Sequence, residues 1–200
     1  MSVNLKICGI SRLEDIKVLN EVLPTYVGFI FTKSKREIDK ERAILLKKEL
    51  DPRIKTVGIF VNSSIDTIAD LVSSQVIDLV QLHGEEDNSY IFNLKQRINV
   101  DIIKAIKMNK TSTFNYPSAT YLLLDSSGGS GKPFDWKILP KLDKPIFIAG
   151  GISTNNIEDA INIFNPYAVD VSSSIESDGY KDEQKIRELC KKLRDLNGEI

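Results

Sequence analysis

Eight short β-branched or aliphatic runs recur along this 200-residue chain, and most are followed by a charged segment with helical spacing. The runs are LKIC (5–8), YVGFIF (26–31), IKTVGIFV (54–61), DLVQLH (78–83), DIIKAI (101–106), TYLLLD (120–125), PIFIAG (145–150) and AVDVSS (168–173). Each is nearly continuous rather than alternating, as in a parallel strand covered on both faces. Parallel neighbours need a crossover between them, and the intervening segments supply it. Apolar residues three and four apart predict helices over 10–23, 36–50, 64–74, 86–98, 153–164 and 181–196, several with Ser, Thr or Asp near the start to cap free amides. The fifth gap, 108–120, has no apolar stripe and contains a proline, so its helix is expected to be missing or vestigial. The sixth holds a glycine-rich loop and only a short candidate helix, DWKILPKL (135–142).

About 25 residues per unit is close to the shortest length at which a closed (β/α)8 barrel is made. An open doubly wound sheet is the alternative, but eight strands would make it wide and no GxGxxG follows the first strand. No linker or composition shift divides the chain, so 1–200 reads as one α/β domain, a single-domain (β/α)8 barrel. Lys and Arg number 27 against 28 Asp and Glu, and this balance offers no field to nucleic acid or a membrane surface. Two cysteines, Cys8 and Cys190, and one histidine, His83, cannot build a four-ligand zinc site. The opening MSVNLKICGI has no signal-peptide pattern, and no apolar run approaches the length of a bilayer span. The expectation is a cytoplasmic protein with a small-molecule partner, without metal, nucleic acid or membrane; monomer and homodimer both stay open.

In such a barrel the working face lies at the carboxyl ends of the strands. Those ends carry Cys8, Phe31 with Lys33, Lys35 and Arg36 beyond it, His83, Asp125, Gly150-Gly151 and Ser172-Ser173-Ser174. The glycines and serines follow adjacent strands, with a helix expected near Ser153 or Thr154, which suits a phosphate; a tight strand-to-helix turn is the competing explanation. Cys8 closes the first strand and Asp125 the sixth, so they should face each other across a ligand anchored between them, a layout suited to proton-transfer isomerisation. Taken alone, Cys8 is equally a small buried hydrophobe, and Asp125 a cap. Arg36 offers a paired contact to a carboxylate or belongs to a solvated turn. His83 bonds either a ligand or a loop carbonyl. Cys190 lies in the apolar stripe of the last helix with Ile186, Leu189 and Leu193 and reads as core. The loop SSGGSGK (126–132) fails as a Walker motif and reads as a lid over the sixth strand end.

LKICGI, VGFIFTKSKR, VGIFVN, LVQLHG, LLLDSSGGSGKPFDW, FIAGGI with Asn155-Asn156, and VDVSSSIES followed by GYKD stand in an order that resembles the phosphoribosylanthranilate isomerases of tryptophan synthesis. The resemblance implies a cofactor-free Amadori rearrangement of a phosphorylated substrate. It casts Asp125 as the acid that protonates the ring oxygen and Cys8 as the base at ribose C2. It implies Arg36 on the anthranilate carboxylate and the amides around Gly151, Ser172 and Ser173 on the phosphate. Such a base works best as thiolate, below the free value of about 8.5, and such an acid must be protonated, above about 3.9. Ser174 stands where the family usually has glycine, and Ser130 and Pro133 replace lid threonines. The related aminoimidazole-carboxamide ribotide isomerases are longer, internally repeated and have aspartate at the Cys8 position. A phospho-ligand binding barrel without turnover is the non-enzymatic alternative.

Overall fold

In the computed structural model, which describes residues 2–108, 113–126 and 142–198, eight parallel strands close on one another in chain order. The chain runs β1 (Asn4–Cys8), α1 (Glu14–Val22), β2 (Tyr26–Ile30), α2 (Lys40–Glu49), β3 (Lys55–Phe60), α3 (Ile65–Ser73), β4 (Leu79–Leu82), α4 (Asn88–Lys95) and β5 (Asp101–Lys107). It continues through β6 (Tyr121–Asp125), β7 (Ile146–Ala149), α5 (Ile157–Phe164), β8 (Ala168–Val171), the two-residue strands β9 (Glu176–Ser177) and β10 (Tyr180–Lys181), and α6 (Glu183–Asn197). β8 pairs back onto β1 with Lys6 opposite Asp170, so the sheet is a closed (β/α)8 barrel and not an open one.

Closure explains the unbroken apolar runs, since both faces of every strand are covered. Ile7, Val27, Phe60, Val80, Ile102 and Leu122 pack outward against the helices. Tyr26, Val57, Leu79, Ile103, Leu123 and Phe147 fill the inside. At the amino end the interior is shut by Tyr26, Tyr121, Phe147 and Tyr167, whose rings pack 5.0–5.7 Å apart, and a hydroxyl contact of 2.9 Å joins Tyr26 to Tyr167. Among the described residues the rings close the amino end of the interior, and the cavity inside the barrel lies at the carboxyl end.

Four helices start on side-chain caps, Asp39, Ser64, Asp87 and Asp182, each accepting from an amide three residues on. Several helices begin later than their periodicity predicts. Residues 37 and 38 instead lie beside the end of β2: Glu37 bridges to Ile30, and the Ile38 amide donates to the Ile30 carbonyl at 2.9 Å. Residues 153–156 form a turn closed on Asn156, whose Oδ1 accepts from the Ser153 amide at 2.8 Å. Between β5 and β6 the described residues contain no helix, as the missing apolar stripe led us to expect. The candidate helix at 135–142 and the glycine-rich loop with Ser130 and Pro133 lie outside the described residues, apart from Ser126 and Leu142.

Glu86, placed by periodicity on a helix, is turned inward instead. Its carboxylate accepts from Lys104 Nζ at 2.8 Å and from the amides of Asn62 at 2.7 Å and Gly84 at 2.9 Å, and both side chains are buried. Lys104 also donates to the Gly84 carbonyl at 2.7 Å, so this pair clamps the loop that follows β4. Glu86→Ala would strand a buried ammonium and two amides, and a loss of about 3–5 kcal/mol in urea unfolding at pH 7 is expected. Burial opposes the Glu86 carboxylate, but Lys104 and the backbone amides of Asn62 and of Glu86 itself outweigh it and hold its pKa below the ordinary value. That stabilisation is therefore complete above about pH 4.3 and fades as the pH falls through the lower folded value, so the gap between variant and parent should narrow in acid.

Candidate active site

Above the packed interior the strand ends enclose a cavity of about 700 Å³. Cys8 of β1, His83 after β4, Asp125 of β6, Gly150 and Gly151 after β7, and Ser172, Ser173 and Ser174 after β8 all stand on its wall. Alternation along β1 turns Lys6 and Cys8 to the same inward face. Cys8 has room there because β2 places Gly28 beside it; a Cβ at Gly28 would lie 3.0 Å from Cys8 Sγ. The thiol is half-buried and free, as Cys190 is free within the core. Burial pushes the Cys8 thiol up from its ordinary value, and the ammonium groups of Lys6 and Lys181 only partly offset this. The thiolate a base needs is therefore formed less readily than in a free cysteine.

Asp125 ends β6 with His83 Nε2 3.3 Å from its Oδ2. His83 Nδ1 faces the Gln81 side-chain amide at 2.9 Å. With the amide nitrogen donating to Nδ1, the proton of a neutral imidazole sits on Nε2, toward Asp125. His83 thus belongs to the Asp125 side of the cavity, and among the described residues no loop carbonyl bonds its ring.

Gly150 and Gly151 have φ of +89° and +70°, a backbone open to glycine and strained for other residues. Their carbonyls are held outside the cradle: Ser126 Oγ donates to Gly150 O at 2.9 Å and Asn156 Nδ2 to Gly151 O at 2.9 Å. The helix expected at Ser153 or Thr154 begins at Ile157, because Asn156 occupies the Ser153 amide. The loop amides of Gly150 and Gly151 therefore stand nearer the cavity wall than the helix start does. Ser172 Oγ donates to the Cys8 carbonyl at 3.1 Å, so this hydroxyl ties β8 to β1. The Ser174 hydroxyl oxygen is buried on the cavity wall without a hydrogen-bond partner among the described residues.

Arg36 is not on the wall of this cavity. Its Nε and Nη2 donate to the two oxygens of Glu176 at 2.6 and 2.5 Å. Glu176, in β9, also accepts from Lys181 Nζ at 2.7 Å, and Lys181 donates to the Ser172 carbonyl at 3.0 Å. The hairpin after β8 therefore carries a buried cation toward the cradle. Glu176 takes two of the guanidinium's five N–H donors.

Sequence reasoning missed Lys6, Asp170, Glu176 and Lys181. Lys6 and Asp170 had a signal: each is a charge in the middle of an apolar strand, at inward parity with a site residue. Their side chains meet at 2.9 Å across the β1–β8 seam. Burial works against the Lys6 ammonium, but Asp170 and Cys8 together outweigh it and hold its pKa above the ordinary value.

A closed barrel with titratable groups and an amide cradle confined to the carboxyl ends of its strands defines a (β/α)8-barrel enzyme for a small anionic molecule. The family model described as "N-(5'phosphoribosyl)anthranilate (PRA) isomerase" matches residues 5–192. The chain belongs to this family. The N-(5'-phosphoribosyl)anthranilate isomerase of Endomicrobium trichonymphae is 44% identical over 197 residues, covering 96% of this chain and 98% of its own. The phosphoribosyl anthranilate isomerase structure from Thermotoga maritima superposes with a TM-score of 0.87 at 39% identity, covering 97% of this chain and 100% of its own. A further solved isomerase, in complex with reduced 1-(o-carboxyphenylamino)-1-deoxyribulose 5-phosphate, has a TM-score of 0.84 at 36% identity, covering 97% of this chain and 100% of its own.

Proposed function

We propose that this chain converts N-(5-phosphoribosyl)anthranilate to 1-(2-carboxyphenylamino)-1-deoxyribulose 5-phosphate in tryptophan biosynthesis, with Asp125 as acid and Cys8 as base. The observation that carries the reading is the placement of Cys8, Asp125 and the Gly150–Gly151 and Ser172–Ser174 loops on one cavity. In this reading the phosphate rests on the amides around Gly151 and Ser173. Asp125 gives its proton to the furanose oxygen as the bond from C1 to that oxygen breaks and the anthranilate nitrogen's lone pair forms a protonated Schiff base. The Cys8 thiolate takes the C2 proton, and the electron pair moves into C1=C2 to neutralise the nitrogen. Tautomerisation then removes the proton of the 2-hydroxyl and adds one at C1, which returns both groups to their starting states. The positive charge of the Schiff base acidifies C2 and favours the thiolate, which offsets the upward push of burial on Cys8. Arg36 takes the anthranilate carboxylate with the N–H groups that Glu176 leaves over. Two free thiols suit the cytosol.

Purified protein mixed with phosphoribosylanthranilate should abolish anthranilate fluorescence at a rate proportional to enzyme concentration. Binding without that loss would favour the non-catalytic barrel. In a Cys190→Ala background, alkylation of Cys8 by iodoacetamide should accelerate with pH to a midpoint above about 8.5, because its folded value is raised. A midpoint below this would mean that Lys6 and Lys181 prevail over burial.

A further inference from the structure

Buried side-chain oxygens and nitrogens nearly always have hydrogen-bond partners. Among the described residues four atoms break this rule: Gln81 Oε1, Asn88 Oδ1, Asp170 Oδ1 and Ser174 Oγ. Three of the four residues stand on the wall of the active-site cavity. Gln81 and Asp170 come from β4 and β8, on opposite sides of the barrel, and both are more than nine-tenths buried. The rest of each group is already committed. Gln81 Nε2 faces His83 Nδ1 at 2.9 Å, and Asp170 Oδ2 accepts from Lys6 Nζ at 2.9 Å. Each side chain is thereby fixed with one oxygen left over. A carboxylate or amide oxygen only accepts, so both atoms call for donors, which the surrounding protein does not provide.

A sugar supplies hydroxyl hydrogens at neighbouring carbons, and an unmet buried acceptor penalises any ligand that lacks them. We infer that Asp170 Oδ1 and Gln81 Oε1 form a hydroxyl-reading floor, each accepting a hydrogen bond from a hydroxyl of the ligand's sugar. This rests on the sugar-phosphate reading above and deepens it: the phosphate is held at the rim by backbone amides, and the sugar is read from beneath by two fixed acceptors.

Asp170→Asn is the sharpest variant. Beside the Lys6 ammonium an asparagine turns its oxygen to Lys6 and its NH2 to the free side, replacing an acceptor with a donor. Calorimetry with reduced 1-(o-carboxyphenylamino)-1-deoxyribulose 5-phosphate, which keeps the sugar hydroxyls, should show affinity falling about ten- to a hundredfold. Gln81→Met should lower it about three- to tenfold. Binding of inorganic phosphate should stay within about twofold of the parent, because the rim is untouched. Circular dichroism reports folding; if Asp170→Asn does not fold, the double variant Lys6→Met with Asp170→Leu removes both buried charges together and is read in the same way. Parental affinity for the analogue in these variants overturns the floor and leaves the isomerase reading standing. Equal losses for analogue and phosphate also overturn it, since the site as a whole has then collapsed. A parent protein that binds phosphate but not the analogue brings down the isomerase reading and this inference with it.

Discussion

Replacing Cys8 with alanine lowers kcat by about two to four powers of ten and leaves the barrel intact. The fold survives because the change removes one sulfur atom from a half-buried position at the top of the barrel interior. Backbone pairing of β1 is unaffected, as is the Ser172 hydroxyl bond to the Cys8 carbonyl. What disappears is the group that accepts the C2 proton, and no other base is assigned to that side of the cavity. Ring opening at the Asp125 side needs no thiol, so affinity for the reduced product analogue should stay within a few-fold of the parent. Steady-state turnover, a melting curve and the analogue titration together decide the matter. Parental turnover would remove Cys8 from the mechanism.

Asp125→Asn should produce a loss of similar size for a different reason. Asparagine keeps the shape and can still meet His83, but it has no acidic proton for the departing ring oxygen. Ring opening then becomes the slow step, ahead of any event at C2. Substrate deuterated at C2 separates the two roles. An isotope effect present in the parent should vanish in Asp125→Asn, where the labelled bond breaks after the slow step. If the isotope effect persists undiminished, Asp125 does not act in ring opening.

Much of the fold was legible because periodicity reports local burial. Eight continuous apolar runs implied strands covered on both faces, and the missing stripe at 108–120 implied a missing helix. Given closure, Cys8, Asp125, Gly150 and Ser172 followed as strand-end residues from position alone. Helix starts were less legible because side chains acting across the fold moved them. Glu86 has helical spacing but is drawn inward by Lys104, which is 18 residues away in sequence. Arg36 was read as either a carboxylate clamp or part of a solvated turn, and periodicity gave no sign that its guanidinium meets Glu176, 140 residues away.

The linear order of apolar and polar residues was enough to determine eight parallel strands covered on both faces and which residues end them, since burial on each face is written every second residue; closure into a barrel came from β8 pairing with β1. Which buried charges neutralise one another was decided only in three dimensions. Lys6 and Asp170 are 164 residues apart and become neighbours because β8 closes onto β1. The energy of a buried charge depends on what lies within a few ångströms of it, and no sequence period records that neighbour. The same holds for Gln81 and Asp170, whose unmatched oxygens gain meaning only where opposite strands face a common cavity.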